Sequence, residues 1–206
     1  MSLILYTNPA SRGRIARWML EETGAPYETR YLRYGPEMSS ADYAAINPMK
    51  KVPAIVHNGT VVTECAAICL YLADAFPQAD LAPRLDQRAD YYRWMLFAAG
   101  PWEQATMMHA LGTEVPPDKT AMAGFGDFAR TLDVLVGAVP EEGYLLGPKF
   151  SALDVYMGSQ ILWGVQFGQI PPSPSVETYV ARIQSRRGFI RANEADNSAT
   201  AEYAPG

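Results

Sequence analysis

The sequence predicts an α/β domain over residues 1–76, a linker over 77–86, and an all-helical domain over 87–206. Three observations predict this. Short β-rich runs alternate with helical patterns up to about residue 76. Asn58-Gly59 separates two β-rich runs, a two-residue hairpin signature. No convincing strand follows the linker.

The elements follow in order. Leu3, Ile4, Leu5 and Tyr6 form a continuous apolar run, as in a strand buried on both faces. Asn8-Pro9 breaks it. A helix is expected from about Arg12 to Glu22, with Ile15, Trp18 and Met19 at helical spacing and Thr23-Gly24 as its stop. Tyr27 to Leu32 reads as a second strand, so the first two strands are parallel with a right-handed crossover. After a short helix or loop, the segment 52–63 reads as a hairpin, and a helix follows over about Cys65 to Ala75. The order is therefore βαβ-α-ββα. Two prolines make 76–85 a loop and a domain boundary. Helices are expected at about 86–111, 119–138, 151–168 and 175–192, with Gly100-Pro101 kinking or splitting the first. From Asn193 the chain is rich in Ala, Asn and small polar residues, and a loosely ordered tail is expected.

Composition narrows the function. Of 206 residues, 49% are hydrophobic and 19% charged, which excludes a disordered chain. The net charge of -5 argues against a nucleic-acid binder. Two cysteines, Cys65 and Cys69, and two histidines, His57 and His109, leave no disulfide framework or metal cluster to build. No apolar run approaches the ~20 residues of a membrane span. The first residues lack the basic start and long apolar stretch of a signal peptide. A cytoplasmic protein without a metal is the expectation.

Three places carry chemistry. At the first, Ser11 precedes the helical pattern as an N-cap residue would. Position 14 is Arg where a capping box wants Glu or Gln. Arg12, Arg14 and Arg17 crowd the first turns, each opposing the helix dipole by about 0.3–1 kcal/mol. Two readings stand: an anion held at the helix start, or a solvated cap with scattered ion pairs. At the second, Val52-Pro53 enters a strand where Pro cannot join a ladder. Either this is an edge strand, or a cis bond turns the Val52 backbone toward an extended ligand. At the third, Glu64 opens a helix whose free N–H groups suit a carboxylate and whose acid suits an ammonium. The plain alternative is that Glu64 complements the dipole. Cys65 and Cys69, one turn apart, read as small buried residues. Positions 8–11, Asn-Pro-Ala-Ser, exclude Cys-x-x-Cys redox chemistry. A Ser-His-Asp hydrolase lacks its nucleophile elbow.

The segments YTNPASRGR at 6–14, NPMKKVPAI at 47–55 and TECAAICLYL at 63–72, with FSALDV at 150–155, occur in the order that resembles the cytosolic glutathione S-transferase superfamily. The closest resemblance is to bacterial serine- or cysteine-type members, and it covers about residues 1–192. It implies a thioredoxin-like domain that binds glutathione as co-substrate, then an all-α domain forming much of the acceptor pocket. Carried over by position, Ser11 hydrogen-bonds the glutathione sulfur, with Arg12 adding positive potential. Tyr6 is the rival sulfur partner. Val52 pairs its backbone with the cysteinyl part beside cis-Pro53, Glu64 and Cys65 hold the γ-glutamyl end, and Lys51 meets the glycine carboxylate. Many members have Ser where this chain has Cys65, a weaker donor. Ser151-x-x-Asp154 matches the family's buried capping box, with Phe150 and Val155 at the staple positions.

The helix around 86–111 is rich in aromatics and Met, expected mostly in the core or a subunit interface. The acceptor-pocket candidates are Trp102, Met107, Met108 and His109, with Trp163 and Phe167 from a later helix. The resemblance implies a homodimer packed through the helices near 86–111, for which Tyr91 and Tyr92 offer a surface. The expected reaction is glutathione transfer to a small hydrophobic electrophile. The alternatives are a non-catalytic glutathione-binding module of the same fold, and a glutathione-dependent isomerase or peroxidase. The isomerase branch usually carries a Ser-rich or Cys-containing run before the first Arg, which Asn-Pro-Ala-Ser lacks.

Overall fold

The structure, a computed structural model, describes residues 2–203. By contact it separates into two compact units, residues 1–82 with 184–206, and residues 83–183. The tail expectation for residues 204–206 lies outside the described residues.

The first unit holds β1 (Leu3–Thr7), α1 (Gly13–Thr23), β2 (Glu28–Tyr31), the single turn α2 (Ala41–Ala44), β3 (Ala54–His57), β4 (Thr60–Thr63) and α3 (Cys65–Ala75). The sheet order is β2-β1-β3-β4, with β1 and β2 parallel and the other pairs antiparallel. This is the thioredoxin-like βαβ-α-ββα arrangement. Asn58 and Gly59 both take positive φ, 48° and 84°, as the tight β3–β4 turn requires.

Strand alternation sorts the side chains. Leu3, Leu5, Ile55 and His57 share the face that carries α3, since the His57 ring nitrogen Nδ1 lies 2.9 Å from the Tyr71 hydroxyl. Ile4, Tyr6, Ala54 and Val56 share the other face and pack with Met38, Tyr43 and Ile46 around α2. Ile15, Met19, Leu20, Ile68 and Leu72 are fully buried. Each such side chain contributes about 1.5–3 kcal/mol.

The second unit is helical: α4 (Ala89–Phe97), α5 (Glu103–Ala110), α6 (Phe128–Gly137), α7 (Ala152–Gln166) and α8 (Pro174–Gln184). Gly100-Pro101 sits in a π-helical turn, Ala98–Trp102, that separates α4 from α5, as a proline without an N–H demands. The helix expected from 119 begins only at Phe128, because Gly124 and Gly126 interrupt it and Asp127 caps it, accepting from the Arg130 N–H at 2.8 Å. Tyr91 is buried, so of the Tyr91–Tyr92 pair only Tyr92 is exposed.

The capping box on α7 is present. Asp154 Oδ2 accepts from the Ser151 N–H at 2.9 Å and the Ser151 hydroxyl at 3.1 Å. Its Oδ1 accepts from the Leu145 N–H at 2.9 Å and the Tyr179 hydroxyl at 3.0 Å. Phe150 and Val155 are both buried beside it.

Two expectations about the end of the chain are corrected. The helix expected at 175–192 is two helices, α8 and α9 (Arg187–Tyr203), and α9 belongs with the first unit. The tail from Asn193 is helical through Tyr203, not loose. The reason lies in its partners on α1. Arg17 and Asp196, both buried, pair at 2.9 Å. Arg186 grips Glu22, Arg191 grips Glu21, and Phe189 meets Trp18 edge-on. Small polar residues suit this helix because they are acceptors for α1, not because the segment is unstructured.

Candidate active site

The register Tyr6↔Ala54↔Thr63 aligns the end of β1, the start of β3 and the end of β4. The segments that continue them therefore emerge at one end of the sheet. These are the turn over residues 8–12, the Lys51-Val52-Pro53 segment, and Glu64-Cys65. One direct link joins two of them: Cys65 Sγ donates to the Arg12 carbonyl at 3.5 Å.

The turn before α1 is held at every step. The Ser11 hydroxyl donates to the Asn8 carbonyl at 2.7 Å and accepts from the Gly13 N–H at 2.9 Å. Asn8 Oδ1 accepts from the Ala10 N–H at 2.9 Å. The Tyr34 hydroxyl donates to the Ala10 carbonyl at 3.0 Å, and Arg14 Nε donates to the Pro9 carbonyl. The geometric cap of α1 is Arg12, one residue later than expected, yet the Ser11 oxygen still satisfies a first-turn N–H. Ser11 remains half-buried, with its side chain at the helix start.

Two of the three arginines that crowd the first turns find partners within the chain. Arg14 donates to Asn193 Oδ1 at 3.1 Å and Asn197 Oδ1 at 2.9 Å. Arg17 meets Asp196, the Tyr27, Thr29 and Tyr31 hydroxyls, and solvent hardly at all. Arg14 turns toward α9, and Arg17 toward α9 and β2, because α9 supplies acceptors that the sequence pattern did not reveal. Arg12 is the residue at the cap of α1.

Tyr6 sits elsewhere. Its ring packs on Tyr43 at 5.6 Å on the α2 face, and its hydroxyl accepts from Arg30 at 3.3 Å. Gly13, by contrast, lies against Thr7, whose alternation puts it on the opposite face. The strand thus separates Tyr6 from Ser11.

The Val52–Pro53 peptide is cis. Lys51 is exposed, Val52 half-buried and Pro53 buried. The Lys51 carbonyl accepts from the Tyr43 hydroxyl at 2.6 Å and from Asn47 Nδ2 at 2.7 Å. Asn47 Oδ1 takes the Met49 N–H at 3.0 Å. Tyr43 and Asn47 thus fix the peptide that presents Val52. Burial pushes the Tyr43 phenol up to about 12, so it remains a donor.

Glu64 is exposed and caps α3 at φ 63°, a conformation rare for a non-glycine residue. Strain of this kind concentrates at ligand sites. Cys65 is buried, and burial holds the neighbouring Cys69 thiol well above its ordinary range, an unreactive state.

The acceptor candidates are divided by the structure. Met108 and His109 line a pocket of about 330 Å³ in the helical unit, with Val115, Phe125 and Phe128. His109 stacks on Phe128 at 3.9 Å. Trp102 is buried behind the same Phe128 at 6.1 Å. Met107 is exposed, Trp163 half-buried, and Phe167, at the C-terminus of α7, is 75% exposed. None of these three lines the pocket. Among the described residues there is no cluster of three or more metal-ligating side chains, and no helix long and apolar enough to cross a membrane.

Sequence reading left Asn8, Tyr43 and Asn47 without roles. Asn8-Pro9 registered only as a breaker, and an inward-facing Asn has no sequence signature of its own.

Comparison with known proteins adds a second line of support. Residues 1–74 match the family model of the glutathione S-transferase N-terminal domain. The mouse glutathione S-transferase theta-1 is 30% identical over 94% of this chain and 88% of its own. A crystal structure of a glutathione transferase from Methylococcus capsulatus is 26% identical, with a TM-score of 0.76 over 95% of this chain and 99% of the other. A sphingomonad glutathione S-transferase complexed with glutathione is 26% identical, with a TM-score of 0.72 over 94% and 98%.

Proposed function

The chain belongs to the cytosolic glutathione S-transferase superfamily, and we propose that it activates the thiol of glutathione for attack on small apolar electrophiles. The observation that carries this reading is the convergence of the Ser11 turn, Val52–Pro53 and Glu64–Cys65 at one end of the sheet. An extended peptide-like ligand needs all three. Val52 offers backbone to the cysteinyl part, and Glu64 offers a carboxylate to the γ-glutamyl ammonium. The first turn of α3 offers N–H groups to the α-carboxylate. Lys51, exposed next to Val52, is assigned to the glycine carboxylate.

Ser11 then meets the sulfur. A free thiol has a pKa of about 8.5, so little of it is thiolate at pH 7. Lowering it by ~2 units takes about 2.7 kcal/mol of preference for the charged form. Ser11 supplies part of this by turning its O–H bond. Its oxygen need not move and keeps the Gly13 N–H. The proton leaves a neutral carbonyl, that of Asn8, for an anion, and hydrogen bonds to charged acceptors are roughly twice as strong as neutral ones. The helix start and Arg12 add positive potential. Ser11 is a donor throughout and forms no covalent bond. Tyr6 faces α2 and is left out of this step.

The pocket beside Met108, His109, Phe125 and Phe128 supports an apolar acceptor. Its volume sits at the small end of ligand pockets, which are typically ~300–1,000 Å³. A cytoplasmic location, a homodimer and independence of nucleic acid, membrane and metal complete the proposal.

The test is Ser11→Ala. Loss of a hydrogen bond to a charged group predicts a kcat about ten- to a hundredfold lower, with glutathione affinity little changed. A rate kept in Ser11→Ala and lost in Tyr6→Phe would reverse the assignment. One observation favours the binding-module reading: the Cys65 thiol is turned to the Arg12 carbonyl, leaving only backbone at that position for a ligand. Glutathione binding without turnover across several electrophile classes would establish it.

A further inference from the structure

We propose that α9 positions Ser11, acting through Asn8 and Arg14. This rests on the role for Ser11 given above. Asn8 is fully buried, and each of its polar side-chain atoms is used. Its Nδ2 donates to the Leu32 carbonyl and to the Tyr203 carbonyl, each at 2.8 Å. Its Oδ1 takes the Ala10 N–H, and its main-chain carbonyl takes the Ser11 hydroxyl. One side chain therefore ties the last described turn of α9 to the residue that holds Ser11.

Arg14 makes the second tie. Its Nε donates to the Pro9 carbonyl, and its other nitrogens reach Asn193, Asn197 and Thr200 along one face of α9. These positions are separated by three or four residues, the spacing of one helical stripe. The guanidinium is thus a bridge: one end on the Ser11 turn, the other on α9. Its rigid fork suits this better than an ammonium would. The buried Arg17–Asp196 pair, one turn further along α1, anchors the same stripe at its centre.

The consequence is specific. When the Ser11 proton turns to the sulfur, the Asn8 carbonyl loses that donor, and the turn is held only by the remaining ties. Two of those ties lead to α9. Loosening them lets the Ser11 oxygen drift, and a displacement of ~1 Å at a reacting group can cost about a hundredfold in rate. Asn8 and Arg14 are positioning residues on this account; neither touches the sulfur.

The test uses the full chain carrying Asn193→Ala and Asn197→Ala together, which removes both amide acceptors of the Arg14 bridge and leaves only Thr200 at 3.5 Å, without touching the turn. Asn8→Asp, which turns a carboxylate oxygen toward the Leu32 and Tyr203 carbonyls, is the companion variant. The expected result in both is a kcat lower by about tenfold or more and a bound-glutathione thiol pKa higher by about one unit, with affinity within about twofold. Asn197→Asp in the Asn193→Ala background restores an acceptor for Arg14 and should recover the rate. A loss confined to thermal stability, with wild-type kcat and thiol pKa, overturns the proposal, as does a rate that Asn197→Asp fails to recover. Ser11→Ala is measured alongside. If it too keeps full turnover, the functional reading falls first. If it is crippled while the α9 variants are wild-type, only the role of α9 falls.

Discussion

Ser11 has one hydroxyl proton, and the chemistry assigned to it depends on where that proton points. At rest it points to Asn8. Two other residues show the same dependence on buried partners. Asp154 accepts four hydrogen bonds in a buried site, so Asp154→Ala strands several donors and should cost about 3 kcal/mol in chemical denaturation. A loss below about 1 kcal/mol would mean the capping box is decorative. Asp196 shows the dependence through its titration. Burial holds its carboxyl above the ordinary range, against the pull of Arg17. A folded pKa raised above the unfolded value of ~3.9 gives a stabilising contribution that is full below that value and is lost as pH rises through the folded one. The unfolding free energy should therefore carry a component that falls with pH from about 4 upward, absent in Asp196→Asn. A component that rises over the same window would contradict it. At this scale the sequence was partly legible. Ser11, Val52–Pro53 and Glu64 stood out because a cap, a proline and a helix-opening acid have local signatures. The destinations of Arg14 and Arg17 did not, because their partners on α9 are more than 170 residues away in the chain.

At the scale of elements, the close contact of β1 and α1 is what builds the site. A Cβ at Gly13 would overlap Thr7 Oγ1 and crowd Ser11 Oγ. Gly13→Ala should cost about 1–3 kcal/mol of stability through overpacking. Because the displaced atoms include the Ser11 oxygen, turnover should fall at least tenfold even in the folded fraction, by the same misplacement argument. Wild-type turnover in a folded Gly13→Ala protein would show that the turn tolerates displacement. The elements themselves were readable where their signals are local: the Asn58–Gly59 hairpin, α3 from Cys65 to Ala75, and the Pro101 break. The start of α6 and the α8–α9 break were not. Gly124, Gly126 and the Asp127 cap delay α6, signals that the apolar pattern around them masked, while the α8–α9 break at 185–186 is marked by a tertiary partner, Glu22 for Arg186.

For the whole molecule, the order of a thioredoxin-like unit and then a helical unit was legible from where strands stop. The return of α9 to the first unit was not, since nothing in a stretch of Ala, Asn and Ser names its neighbour. The proposed homodimer should sediment at twice the chain mass; a monomer at micromolar concentration would remove that part of the account. The central claim is that Ser11 stabilises the glutathione thiolate. The most direct measurement is a pH titration of the ultraviolet thiolate band of glutathione bound to the wild-type protein and to Ser11→Ala. The account predicts a bound thiol pKa about two units below the free value of ~8.5 in the wild type, moving back toward it in the variant. The same pKa in both proteins, or an unshifted one in the wild type, would contradict it.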